Sequence, residues 1–394
     1  VAVRTIDEFE LKGKRVFIRV DFNVPLDPQG RVTDDTRIRA ALPTIEFARG
    51  KGAKVILASH LGRPKGKRVP AMSLAPVAER LSELLGGPVK TAQDCLGPEA
   101  EAAVRSLAEG EVLLLENLRY HKEETDNDPT FAKALAALAD VYVNDAFGAA
   151  HRAHASTCGM VEFVREAAAG FLMKKEIAYL EGALKDPARP FLAVLGGAKV
   201  SDKIGVARNL VRKVDGLVIG GGMSNTFLWA KGIPPGASKV EEDKRGEAVG
   251  LLEEAREASV QVLLPEDVVA APEMRPDAET RVVPVSGIPE GWLALDIGPA
   301  TARRFADAIR RAKTIVWNGP MGVFEMPPFA SGTREVARAV ADAEAVSIVG
   351  GGDSVAALEK EGLKDRVTHV STGGGASLEY LEGKVLPGVK ILDR

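Results

Sequence analysis

The sequence predicts an α/β protein organised on parallel sheets, with length enough for two domains. Three observations predict it. Short apolar runs alternate with helix-period segments along the chain, as βαβ units require. Many of those runs stop at paired glycines or at asparagine, aspartate and arginine, so one edge of each sheet collects polar chemistry. The chain has 394 residues, more than one hydrophobic core usually organises.

In the first half, Arg15-Val16-Phe17-Ile18-Arg19-Val20 reads as a strand that ends in Asp21-Phe22-Asn23. Asp34 or Asp35 is placed to cap the next helix, whose first turn carries Arg37 and which Gly50 closes. Lys54–Ala58 is a strand ending in Ser59-His60-Leu61-Gly62-Arg63. Helices follow, the first over about 74–85, and lead to strand Glu111–Leu115, which ends in Glu116-Asn117-Leu118-Arg119. A helix over 129–139 precedes strand Val141–Val143 and the segment from Asn144 to His151-Arg152-Ala153-His154. Arg37, His60, Arg63, Arg119 and Arg152 therefore converge on one sheet edge. Arginines so placed repel one another unless an anion sits among them, and guanidinium forks match carboxylate and phosphate oxygens. Asp21 and Asn23 suit a hydroxyl.

From about Ala167 the sequence AAAGFLMKKEIAYLEGALKDPARP reads as one long helix connecting two domains. Strand Phe191–Leu195 then meets Gly196-Gly197, followed by Lys199 and Lys203, four apart and so on one face if helical. Leu217-Val218-Ile219 meets Gly220-Gly221-Gly222, and Val262-Leu263-Leu264 leads to Pro265-Glu266-Asp267. Thr314–Trp317 ends in Asn318-Gly319-Pro320-Met321-Gly322-Val323-Phe324-Glu325. Val346–Val349 meets Gly350-Gly351-Gly352-Asp353-Ser354, and His369-Val370-Ser371 meets Gly373-Gly374-Gly375. Glycine lets backbone N–H groups approach an anion, and a helix start favours phosphate. Four such runs in one half point to one phosphorylated ligand. Asp353 is placed to hold Mg²⁺ bridging phosphate oxygens, or more plainly to cap a helix.

Composition narrows the classes. Net charge is −3, which leaves no basic surface for nucleic acid. No run of apolar residues is long enough to span a bilayer, and the first residues lack an apolar signal core. Cys95 and Cys158 lie far apart without metal-ligand spacing, which fits a reducing cytoplasm. His151 and His154 have half of a metal spacing and no partner to complete it, so anion contact is the better reading. Neither a Walker loop nor a G-x-G-x-x-G run occurs. An arginine basin in one half and glycine phosphate loops in the other suggest phosphoryl transfer between two ligands across a cleft. No general base stands out, as expected for an acceptor that is already an ionised carboxylate. A dinucleotide oxidoreductase and a non-catalytic two-lobed binding protein are the alternatives; binding of NADH and an exported location would favour them respectively.

The motifs RVDFNVP, TRIRAALPT, ASHLGRP, LLENLR, NDAFGAAHRAHAS, GGAKVSDKIG, WNGPMGVFE, GGGDS and STGGGASLE, in this order, resemble the phosphoglycerate kinase family. The resemblance implies two similar-sized lobes, each a doubly wound parallel sheet flanked by helices, joined by a long interdomain helix. It divides the chain into residues 1–170 plus about 380–394, a connector at 171–186 and a nucleotide lobe at 187–379. It implies reversible transfer from 1,3-bisphosphoglycerate to Mg-ADP, in line across a closing cleft, by a cytoplasmic monomer with small-molecule partners and neither nucleic acid nor membrane. Asp21, Asn23, Arg37, His60, Leu61, Gly62, Arg63, Arg119 and Arg152 match the family's 3-phosphoglycerate site. Lys199, Lys203, Gly220, Gly221, Ala294, Leu295, Asn318, Pro320, Val323, Glu325, Gly351, Gly352, Asp353 and Ser354 stand at its nucleotide positions, Asp353 as the metal ligand. Ala294 and Ser224-Asn225 depart from the family's usual residues near the nucleotide. Arg37, Lys203 and the amides of Gly373, Gly374 and Gly375 resemble the groups around the transferring phosphoryl.

Overall fold

The structure, a computed structural model, describes residues 3–393. The chain divides into two compact units: one runs to Ala178 and resumes at Val385, the other is Tyr179–Lys384.

The first unit is built on six strands: β1 (Arg15–Arg19), β2 (Lys54–Ala58), β3 (Val89–Thr91), β4 (Val112–Leu114), β5 (Val141–Asn144) and β6 (Glu166–Ala169). They form one parallel sheet in the order β3-β4-β2-β1-β5-β6. Val16, Phe17, Ile18, Val55, Ile56 and Leu57 are fully buried, as continuous apolar strands covered on both faces should be. The helices are α1 (Thr36–Gly50), α2 (Ala75–Leu85), α3 (Pro98–Arg105), α4 (Lys122–Thr125) and α5 (Pro129–Ala136). Asp35 stands at the N-cap of α1 without a capping side-chain hydrogen bond; it serves Arg39 and Arg80 instead.

The alanine run is not helical, contrary to expectation. Glu166–Ala169 is the edge strand β6, paired to β5, and helix α6 (Phe171–Lys185) begins only beyond Gly170. The open sheet edge overrides alanine's helix propensity. Thr44 Oγ1 accepts the Phe171 N–H at 2.9 Å and Asp145 Oδ1 that of Met173 at 3.1 Å, which satisfies donors in the first turn of α6.

The second unit repeats the plan. Strands β7 (Phe191–Leu195), β8 (Gly216–Ile219) and β9 (Gln261–Leu263) lie on one side, and β13 (Thr314–Asn318), β14 (Val346–Gly350) and β15 (His369–Val370) on the other. Their order is β15-β14-β13-β7-β8-β9, all parallel. Trp317 and Phe305 are wholly buried in its core. Between β9 and β13 the chain makes a separate antiparallel sheet that sequence reading did not anticipate: β10 (Asp267–Ala271), β11 (Arg281–Pro284) and β12 (Leu293–Ile297), in the order β11-β10-β12. Helices α7 (Ile204–Leu210), α8 (Met223–Ala230), α9 (Arg245–Glu257), α10 (Pro299–Arg311), α11 (Ser331–Asp342), α12 (Gly352–Lys360) and α13 (Gly375–Leu381) complete this unit. The last helix, α14 (Pro387–Lys390), belongs to the first unit: Gly388 donates to Ala150 O at 2.9 Å and accepts from Asn144 Nδ2 at 3.2 Å.

Candidate active site

In each parallel sheet the strand order reverses beside the first strand, between β1 and β5 and between β7 and β13. Open α/β sheets bind ligands beyond the carboxyl ends of the strands at such points. The expected residues gather there in two separate sites.

In the first unit, Arg37 on the first turn of α1 donates from Nη1 to Asp21 Oδ2 at 2.6 Å, an ion pair at the mouth of β1. Asn23 Oδ1 accepts the Gly62 N–H at 2.8 Å, and Arg119 Nη1 donates to Gly62 O at 3.1 Å. Arg63, Arg119 and Arg152 line one cavity of about 320 Å³, to which Lys65 and Lys122 add two cations. Asn117 fixes the intervening loop. Its Oδ1 accepts the N–H of Leu61 at 3.2 Å and of Arg119 at 3.0 Å, while Nδ2 donates to the carbonyls of Leu61 at 2.7 Å and Met72 at 2.9 Å. Leu61 thus sits in the site through its backbone, with its side chain in the core.

One contributor escaped sequence reading. Arg19, at the end of β1, is completely buried. Its Nε donates to Ser156 Oγ at 2.8 Å, and Ser156 passes the contact to the buried Glu124 carboxylate at 2.6 Å. Its Nη2 lies 3.1 Å from His60 Nδ1. A guanidinium only donates, so His60 accepts at Nδ1 and carries its proton on Nε2. Burial, then Arg19, Arg119 and Arg37, hold His60 well below the ordinary imidazole value. Burial and the same kind of cationic neighbours push His154 down to about 4. Both rings are neutral at pH 7, so the positive charge of the basin comes from arginine and lysine. Crowding is visible in Arg119, which burial and the charges of Arg19 and Arg152 push down to about 10; its buried Nε has no partner among the described residues. An anion relieves both the repulsion and the missing partner.

The second unit's site is made mainly of backbone. A cavity of about 360 Å³ is lined by Gly197, Gly221, Ala294, Leu295, Pro320, Val323, Glu325 and Asp353, with Ser224 and Asn225 in the wall. Its floor interlocks three strand ends. Gly196 N–H donates to Asn318 O at 3.0 Å, Gly197 N–H to Pro320 O at 2.9 Å and Gly221 N–H to Met321 O at 3.1 Å. A Cβ on Gly196 would lie 2.2 Å from Pro320 O, and one on Gly319 would lie 2.2 Å from Gly196 O. Gly319 also has φ +101°, closed to most side chains. The antiparallel sheet explains why Ala294 and Leu295 belong here: β12 supplies one wall of the cavity.

Other expected residues stand around this cavity without lining it. Lys199 and Lys203 do not share a helix face, because α7 starts only at Ile204. Lys199 is exposed, whereas Lys203 is half-buried and donates from Nζ to Asn318 Oδ1. Burial lowers the Lys203 ammonium, and Asp202, Asp353 and Glu382 partly restore it. Asn318 Nδ2 is buried without a partner among the described residues, a donor available to a ligand. Gly220 is buried beneath the floor, and Ser354 Oγ accepts the Gly319 N–H at 2.7 Å, so both shape the loop. Gly351 and Gly352 open α12, and Gly373 to Gly375 open α13, with Gly373 N–H held by Ser371 Oγ at 3.1 Å. Asp353 does not cap α12, since Gly351 occupies that position. Its carboxylate is exposed, faces the cavity and receives no hydrogen bond from the described residues, so it suits a hard cation that keeps water and phosphate ligands.

No helix among the described residues is long and apolar enough to cross a membrane. A family model described as phosphoglycerate kinase matches residues 6–384. The phosphoglycerate kinase of Moorella thermoacetica is 62% identical over 392 residues, covering 100% of this chain and 99% of that protein. The cytosolic phosphoglycerate kinase of Triticum aestivum is 57% identical, covering 100% and 98%. Two solved structures are similar: phosphoglycerate kinase from Coxiella burnetii, with TM-score 0.90 and 44% identity over 99% of both chains, and that from Pyrococcus horikoshii, with TM-score 0.83 and 35% identity over 99% of this chain and 98% of the other.

Proposed function

The chain belongs to the phosphoglycerate kinase family, the glycolytic enzymes that transfer phosphate between 1,3-bisphosphoglycerate and ADP, and from that premise we propose which residues carry the transfer. The lobe before α6 takes 3-phosphoglycerate. Arg63, Arg119 and Arg152 hold its phosphate through guanidinium forks. Asp21 and Asn23 take its hydroxyl, and His60 donates from Nε2. The lobe after α6 takes the nucleotide. Ala294, Leu295, Pro320 and Val323 receive the base and Glu325 the ribose. The phosphates meet Gly220, Gly221, Gly351, Gly352 and Ser354 together with Lys199, Lys203 and Asn318. Asp353 would hold Mg²⁺, which supplies charge neutralisation on the phosphate oxygens when bound.

The acceptor carboxylate is ionised at neutral pH and needs no base. The chain's task is alignment, exclusion of water and stabilisation of charge on the moving group. Arg37, Lys203 and the amides of Gly373, Gly374 and Gly375 meet that group. In-line transfer requires reacting atoms about 3–3.5 Å apart, so the reaction proceeds with the lobes closed on both ligands. Scattering profiles with and without both ligands test closure; an unchanged radius of gyration in an active sample rejects it.

The observation that carries this reading is a basin whose charge comes from arginine and lysine, with both histidines neutral and the buried Nε of the crowded Arg119 without a partner among the described residues. A coupled assay with 3-phosphoglycerate and Mg-ATP tests it: turnover is expected with both and none when either is omitted, and an inactive, folded, nucleotide-binding protein overturns it. We further take the protein to be a cytoplasmic monomer, in keeping with two free thiols and with the cytosolic wheat relative. Light scattering that gives a larger mass rejects the monomer.

A further inference from the structure

The turn after β3 meets the junction between Tyr120 and α4, next in the chain to the cavity-lining Lys122. Asp94 and Cys95 come from the turn, His121 from the junction. His121 Nε2 lies 2.7 Å from Asp94 Oδ1. One donor atom from each of the three side chains lies within 4.8 Å of the others. The separation of Cys95 from His121 along the chain hid this cluster from any reading of cysteine spacing.

We propose that Asp94, Cys95 and His121 form a binding site for zinc or a similar borderline-soft divalent cation. The donor set is a carboxylate oxygen, a thiolate and an imidazole nitrogen, and it selects such a cation over Mg²⁺, which prefers oxygen alone. Tetrahedral zinc holds its donors roughly 3.3–3.8 Å apart, inside the 4.8 Å that bounds the three donor atoms here. Cys95 is buried while the side chains of Asp94 and His121 are about one-third exposed, so the cation enters from the solvent side and keeps water as its fourth ligand. The turn is braced for this: the Cys95 N–H donates to Asp94 Oδ1 at 2.7 Å, Arg68 Nη2 donates to Gln93 O at 2.6 Å and reaches Asp94 Oδ2 at 3.4 Å, and Phe131 lies against the His121 ring with centroids 5.4 Å apart. Binding releases the thiol proton to solvent and leaves the imidazole N–H on the nitrogen away from the metal, with no redox change. A Cys–His–Asp nucleophile is the competing use of these residues. It is disfavoured because the Cys95 side chain is completely buried, which leaves no room for a substrate to approach its sulfur.

Cobalt(II) alone, titrated into the full chain without nucleotide or substrate, tests the site. The wild type is expected to develop a thiolate-to-cobalt charge-transfer band that zinc abolishes. Cys95→Ser is expected to lose the band and Cys158→Ser to keep it. His121→Gln, at a partly exposed side chain, is expected to stay folded by circular dichroism and to bind zinc at least about tenfold more weakly in calorimetry. Absence of the band in wild type overturns the proposal, as does its loss in Cys158→Ser rather than Cys95→Ser. Unchanged zinc affinity in folded His121→Gln also overturns it and leaves only an Asp94–His121 hydrogen bond.

Discussion

The two lobes place their sites at the same topological position and build them from opposite materials. Beyond β1 and β5 long cationic side chains line the cavity, beside His60 held by the buried Arg19–Ser156–Glu124 chain and a loop pinned by Asn117. Beyond β7 and β13 the ligand meets main chain, with glycines interlocked so closely that no Cβ fits. The sheet therefore decides where a ligand binds, and the residues at the strand ends decide what it is. A small, highly charged ligand calls for converging forks. A larger one with a flat base calls for an apolar slot and a bed of amides.

The sharpest test removes the exposed carboxylate of the backbone-built site. Asp353→Ala is expected to lower turnover about 1,000-fold, the scale of losing a principal electrostatic group, with little change in melting temperature. Near-normal activity in Mg²⁺ removes Asp353 from metal binding. In the cationic lobe, Arg37→Ala is expected to cut kcat about 100-fold with a much smaller change in KM, the pattern of a contact made mainly in the transition state. Arg37→Lys should restore little, because a point charge does not reproduce a planar fork. An effect confined to KM makes Arg37 a ground-state ligand instead.

Arg19→Met separates positioning from contact. It keeps bulk while removing the donor to His60 Nδ1, so affinity for 3-phosphoglycerate is expected to fall about tenfold, the low end for a disturbed supporting partner. Nitrogen-15 spectra should show His60 no longer confined to its Nε2–H tautomer; an unaltered tautomer refutes the assignment.

The smallest effect concerns pH. Burial raises the Asp145 carboxyl to about 7 from 3.8, and its Oδ2 has no partner among the described residues. The folded state holds this proton where the unfolded state releases it, so the contribution is full below about 3.8 and is lost as pH rises through about 7. His60 and His154 run the other way: neutral in the fold, they cost stability as pH falls below their ordinary 6.5. The opposing slopes partly cancel. Asp145→Asn should remove the first and leave melting temperature rising with pH between about 4 and 6.5. A variant with the wild-type profile shows that Asp145 is ionised in the fold.

Strands buried on both faces were legible because nothing but a continuous apolar run suits them. The strands of the antiparallel sheet were not, since Arg281 and Val282 are exposed and β11 follows no single pattern. Ala167–Ala169 misled because propensity is local and the pairing with β5 is not. The arginine basin could be read from the ends of strands. Arg19 could not, because a cation within a strand ordinarily faces water; its one signal was a charge inside RVFIRV. Neighbourhood in space, which makes Cys95 and His121 partners, has no trace in their spacing.

The interlocked floor also governs how this protein is able to vary over generations. Gly196, Gly221 and Gly319 come from three separate segments, yet a methyl group on any one of them strikes the main chain of another segment. A collision with a side chain is open to repair by a second substitution that trims the obstacle. A collision with main chain is not, because nothing smaller exists to put there. A single replacement at any of the three therefore requires the main chain itself to shift. The arginine basin lies under a looser rule: Arg63, Lys65, Arg119, Lys122 and Arg152 line its cavity with side chains, and an obstruction between side chains is open to trimming.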